Sequence, residues 1–161
     1  VNIKEINMPG KIEEKLKKLN IQLPDPAAPV ASYSPFVLTN NLLFVSGQGP
    51  FRNGKLITGK VGLNLSIEEG QDAAKACGEM ILSQARLACG DLDKIKKCIK
   101  IGGFVNCENT FTDQAMIIEG ASKLLIEIFG EKGWHSRFAV GANSLPLGMA
   151  VEIDAIFEVS S

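Results

Sequence analysis

Arg137 and Glu152 are the two side chains of this 161-residue sequence whose types and spacing point most directly to chemistry. A guanidinium is a planar fork that grips a small carboxylate through two parallel, charge-assisted hydrogen bonds. A glutamate beside it can orient or deprotonate a water, or hand over a proton. Alternation in the flanking residues suggests how they could meet. Val151, Ile153, Ala155, Phe157 and Val159 share one face of a strand, and Glu152, Asp154, Ile156 and Glu158 share the other. If Phe138 and Val140 face the helices, Arg137 falls on the side of Glu152 and Asp154. An antiparallel hairpin centred on Leu145-Pro146 then sets the arginine opposite or diagonal to those carboxylates. Small Ala139 and Gly141 leave room for a ligand. The competing reading is a cross-strand ion pair of roughly 0–1 kcal/mol that only fixes register. His135, the lone histidine, is an auxiliary candidate on the Arg137 face, because imidazole exchanges protons near neutrality.

Other chemistries find little support. Gly54 to Lys60 imitates the start of a phosphate loop, but Val61 replaces the hydroxyl residue that would hold magnesium. The Gly47-Gln48-Gly49 pair lacks a third glycine at Arg52, so both segments read as turns. HExxH, GxSxG and EF-hand patterns do not occur. Cys77, Cys89, Cys98 and Cys107 form no CxxC pair, and one histidine cannot complete a Cys/His zinc set. They read as reduced, mostly core cysteines. With 17 basic against 18 acidic residues, a broad nucleic-acid-binding surface is not expected. No run suits a membrane span, and Val1 to Asn20 lacks the apolar stretch of a signal peptide, so the expected location is cytoplasmic.

The elements that must position Arg137 and Glu152 follow from periodicity. Ile12, Leu16 and Leu19 mark a short surface helix over Lys11–Asn20, ended by a linker containing Pro24, Pro26 and Pro29. Residues 1–29 therefore read as an appendage to a domain spanning 30–161. Phe36–Thr39 and Leu42–Ser46 flank Asn40-Asn41 as a hairpin. A Gly-rich loop runs from Gly47 to Gly62. Ser66 and Glu69 have capping-box spacing ahead of a helix with Ala74, Cys77, Ile81, Ala85 and Ala88 on one stripe, closed by Gly90. Ile95–Val105 reads as a strand in which Gly102-Gly103 marks a bulge or close contact. A second helix covers Thr112–Phe129, and strands near Ser136–Ala142 and Met149–Val159 end the chain. Helices gathered on one face of a mixed sheet make the class α+β, with the other sheet face needing a cover.

Several segments together resemble the RidA/YjgF family of reactive-intermediate deaminases, formerly called endoribonuclease L-PSP. The resemblance covers about residues 30–159. It is carried by Leu43-Phe44-Val45-Ser46-Gly47-Gln48 with Pro50 and Gly54, by Gly90-Asp91-Leu92-Asp93-Lys94-Ile95, and by Arg137, Leu145-Pro146 and Val151-Glu152-Ile153-Asp154-Ala155.

The resemblance implies a chorismate-mutase-like fold and a homotrimer whose bare sheet faces form a central barrel, with active sites between subunits. It implies cofactor-free hydrolysis of enamines or imines of 2-keto acids to the keto acid and ammonia. Arg137 would hold the substrate carboxylate, Glu152 would position water, and backbone near Ala139 would meet the imine end. Two departures stand out. Ser34-Pro35-Phe36 replaces the family's Gly-Pro-Tyr, so the hydroxyl is missing unless Tyr33 supplies it, and Ala139 stands where a cysteine is common. Two functions follow as expectations: an imine deaminase, or a non-catalytic trimer that binds small carboxylate metabolites.

Overall fold

The computed structural model describes residues 9–29 and 31–160. In chain order its elements are α1 (Lys11–Lys18), β1 (Phe36–Thr39), β2 (Leu42–Gln48), β3 (Phe51–Arg52), β4 (Lys55–Leu56), α2 (Ile67–Cys89), β5 (Ile95–Asn106), α3 (Gln114–Phe129), β6 (Ser136–Ala142) and β7 (Val151–Val159). The class is α+β, as expected. Local signals in the sequence account for most boundaries. The Ser66 hydroxyl accepts from the Glu69 N–H at 3.1 Å while the Glu69 carboxylate accepts from the Ser66 N–H at 2.8 Å, a complete capping box. Gly90 closes α2 at φ 77°, where a side chain would be strained.

The segment Gly47–Gly62 differs from the loop expected of it. Asn53 and Gly54, both at positive φ, join β3 to β4 as a miniature hairpin. Asn-Gly is a strong type I′ turn signal, but two-residue strands are too short to show alternation.

The main sheet has the order β1-β2-β7-β5-β6. Here the expected terminal hairpin fails. β6 does not pair with β7; it lies parallel to β5, and β5 separates it from β7. The Leu145-Pro146 segment is therefore a crossover past the end of β5. α2 and α3 cover one face. Leu43, Ile101, Ile153 and Phe157 from the sheet meet Ile81, Ile118 and Leu125 from the helices, all fully buried. The Gly102-Gly103 pair allows a close approach on both sides. A Cβ on Gly103 would lie 2.5 Å from Ile118 Cδ1, and one on Gly102 would lie 2.5 Å from Phe138 Cζ.

The proline segment packs on the back of α2, while α1 lies against α3 and the Leu92–Lys94 turn and reaches α2 through the Glu13–Arg86 ion pair. Asp93 accepts from the Lys11 and Ile12 N–H groups at 2.8 Å each, capping α1 from a distant part of the chain. Ser83 donates to the Pro24 carbonyl at 2.6 Å and Gln84 to that of Ala27 at 2.8 Å. Leu16 and Leu23 are buried in the common core. The domain start expected at Val30 falls outside the described residues.

α2 and α3 touch most tightly at Gly120, where a Cβ would overlap the Gln71 carbonyl oxygen. Gly120→Ala is expected to cost about 1–3 kcal/mol by forcing the helices apart. Thermal melts should show a Tm lowered by roughly 2–4 °C per kcal/mol.

Candidate functional site

Arg137 sits on the helix side of the sheet. β6 residues Arg137, Ala139 and Gly141 align with buried Ile101, Gly103 and Val105 of β5. Phe138 and Val140 project from the opposite, open face, reversing the assignment expected for this strand. The alternation was right and its phase was wrong. On the open face Phe138 meets Phe104 edge-on at 5.3 Å, and Lys100 lies over the Phe138 ring. The apolar side chains of β6 thus find partners away from the helices.

The arginine is held by α3. Nη1 donates to Glu119 Oε1 at 2.7 Å and to Ser122 Oγ at 3.0 Å, and Nη2 donates to the Ala115 carbonyl at 3.2 Å. Ser122 also bonds His135 Nε2 at 2.9 Å, while His135 Nδ1 meets the Gly133 carbonyl at 2.6 Å. These groups line an open recess of about 520 Å³ with Lys123, Ile126, Glu127 and Trp134. His135 is therefore on the Arg137 face, as the alternation suggested. Glu119 and Ser122 were not anticipated. Their i, i+3 spacing on one helix flank is the signal that marks them, but it gains meaning only once β6 is known to lie beneath.

Glu152 lies on the open face, with Asp154, Ile156 and Phe44. Its carboxylate crosses Gly47, where a Cβ would overlap Oε1. Burial, and secondarily the like charge of Asp154, push the Glu152 carboxyl above the usual glutamate range. Phe36 packs its ring against the core from β1, at the sheet edge remote from β6, and Tyr33 is exposed just before it. Of the five expected site residues, one chain brings together only Arg137 and Ala139. Glu152 is across the sheet, and Phe36 and Tyr33 are at its far edge.

The family model described as "YjgF/chorismate_mutase-like, putative endoribonuclease" matches residues 13–157. The chain belongs to this family. It is 43% identical over 154 residues to Protein TCP17 of Trypanosoma cruzi, covering 94% of this chain and 96% of that one. It is 45% identical to protein Atu1372 of Agrobacterium tumefaciens, whose structure superposes with a TM-score of 0.87 over 92% of both chains. The structure of Escherichia coli TdcF with bound serine, at 24% identity, shares the fold with a TM-score of 0.60 over 87% of this chain and 96% of that one. No helix among the described residues is long and apolar enough to cross a membrane.

The cysteines of this YjgF-family chain are poorly placed for nucleophilic work. Cys77, Cys98 and Cys107 are buried and Cys89 is half-buried, all as free thiols. Burial pushes the Cys98 thiol up to about 12 and raises Cys77 and Cys89 as well, so few thiolates form. A thiol reagent added to the native protein is expected to label Cys89 slowly and the other three only after unfolding. Fast native labelling of Cys98 would contradict this.

The raised Glu152 carboxyl gives a second expectation. The folded chain holds that proton more tightly than the unfolded chain, so stability falls as pH rises between the two values. Glu152→Gln should therefore melt at a higher temperature than the parent at neutral pH. The gap should close as pH falls below the ordinary glutamate range, read from melts across a pH series.

Proposed function

We propose that this chain is a hydrolytic deaminase of enamine or imine derivatives of 2-keto acids, working as a homotrimer with its sites between subunits. The observation that carries the reading is the Arg137 fork, about a quarter exposed at 24%, which lines a recess in a chain of this family. Arg137 takes the substrate carboxylate. A water held by Glu152 adds to the imine carbon, giving up a proton to the carboxylate as the C=N electrons move to nitrogen. The proton then passes to that nitrogen, giving a carbinolamine. As the C–N bond breaks, the carbinolamine hydroxyl gives up its proton, which passes through the same carboxylate to the nitrogen, so ammonia leaves and the carbonyl forms. Water is the only co-reactant, and no electron is transferred.

Two features support an inter-subunit site. Arg137 and Glu152 lie on opposite faces of one sheet, so they can meet on one substrate only if neighbouring chains supply them. Further, Val37, Phe44, Phe104 and Val140 leave 40% or more of their surface exposed on the open face. Apolar groups gathered in this way mark an association surface. One observation favours a second reading, a non-catalytic carboxylate-binding or regulatory trimer: Phe36 turns into the core and offers no hydroxyl.

The test is ammonia release from imines generated by an amino-acid oxidase, with carboxylate binding followed by calorimetry. Arg137→Lys keeps the charge but not the two-point fork. It should weaken binding by upwards of about thirty-fold. Glu152→Gln should depress turnover and leave binding largely intact. Mixing these two variants after subunit exchange should restore about one quarter of parental turnover, because one neighbour order in four rebuilds a site. Binding without turnover in the parent selects the regulatory reading. A monomer by light scattering at micromolar concentration would remove the inter-subunit site altogether.

A further inference from the structure

An internal carboxylate already faces the arginine that is proposed to anchor substrate. Glu119 uses Oε1 for Nη1 at 2.7 Å, and the same Nη1 donates to Ser122 at 3.0 Å. Ser122 is buried, with 5% of its surface exposed. With His135 neutral, Nδ1–H donates to the Gly133 carbonyl and Nε2 accepts the Ser122 proton. The serine oxygen is thus left as the acceptor for Nη1. One end of the guanidinium is tied down by α3 and by the turn before β6.

The other end is much freer. Nε has no hydrogen-bond partner among the described residues, and Nη2 has only the Ala115 carbonyl at 3.2 Å. The Nε–Nη2 edge is one of the forks that grip a carboxylate through parallel hydrogen bonds. A ligand carboxylate seated there shares the guanidinium with Glu119, whose negative charge remains in place on Nη1. A plain anion meets repulsion from it. A ligand with a positive nitrogen one carbon from its carboxylate can satisfy both groups at once, setting the carboxylate on the arginine and the nitrogen toward Glu119. Lys123 and Glu127 at the rim, one of each sign, leave this local balance unchanged.

We propose that Glu119 is a specificity residue that makes the Arg137 recess select zwitterions, namely α-amino acids and nitrogen-protonated 2-imino acids, over 2-keto acids. The proposal rests on Arg137 being the carboxylate anchor. Under the deaminase reading it has a consequence for turnover. The iminium substrate is retained by Glu119, whereas the keto-acid product has lost its nitrogen charge and is expelled.

The test is calorimetry on the full chain with matched ligands: L-alanine against pyruvate, and 2-aminobutyrate against 2-ketobutyrate. N-acetyl-L-alanine serves as a carboxylate without nitrogen charge. The parent should bind each amino acid at least about tenfold more tightly than its keto acid, with N-acetylalanine behaving like the keto acids. Glu119→Gln should weaken amino-acid binding and strengthen keto-acid binding, so that the preference is lost. Glu119→Asp retains the charge and should keep the direction of preference, even if Glu119→Gln folds poorly. If Glu119→Gln tightens both ligand types, Glu119 is only a plug in the arginine fork and the proposal falls. If it leaves their ratio unchanged while Arg137→Gln abolishes both, the anchor stands and the selectivity assignment fails. A parent that binds neither ligand type overturns the anchor, and the zwitterion site with it.

Discussion

Two parallel neighbouring strands cannot be joined by a tight turn, and β5 and β6 are parallel neighbours. The chain must leave the end of β5, cross the sheet and re-enter at the start of β6. α3 makes that crossing on the same face as α2. Its placement decides which side of β6 is covered and therefore where Arg137 points. It also sets Glu119 and Ser122 above that arginine. Glycines permit the arrangement at its tightest points: Gly103 lies under Ile118, and Gly120 against the backbone of α2. Larger residues there would lift α3 away from the sheet and open the cradle around the guanidinium.

The same crossing leaves a chemically divided sheet. One face is a dry core of aliphatic residues under two helices. The other mixes the carboxylates of Glu152 and Asp154 with Phe44, Phe104, Phe138 and Val140. A face of this kind is neither well solvated nor well covered in a single chain. Glu152 registers the strain in its raised pKa, caused first by burial and then by Asp154. Its carboxylate fits there because Gly47 has no side chain to compete for the space.

α2 shows how the N-terminal segment is integrated. A helix covered on a single face needs only an apolar stripe, yet α2 is buried almost all round between Ala73 and Ala85. Its polar residues on the outer side have specific partners. Ser83 and Gln84 bond carbonyls of the proline segment, and Glu79 takes the Arg52 guanidinium at 2.6 Å. Burial raises the Glu79 carboxyl even with that arginine beside it. These contacts satisfy groups that would otherwise be costly to bury, with Gln84 Oε1 left unpaired among the described residues.

Much of the architecture was legible in the residue order, because the forces concerned are local. The capping box at Ser66 and Glu69, the left-handed stop at Gly90 and the apolar stripes of both long helices act within a few residues. The face carrying Glu152 and the family motifs were readable for the same reason. What the sequence could not decide was which strand lies beside which. Alternation in Ser136–Ala142 is equally compatible with either phase, since a strand's two faces differ only by what covers them. Reading a hairpin at Leu145-Pro146 placed Arg137 with Glu152; the parallel partner β5 turned it to the helices and to Glu119 instead. Sequence alone thus determined the elements and the residue types available for chemistry. Tertiary structure decided which of them meet, because strand pairing is a long-range choice made by the whole core.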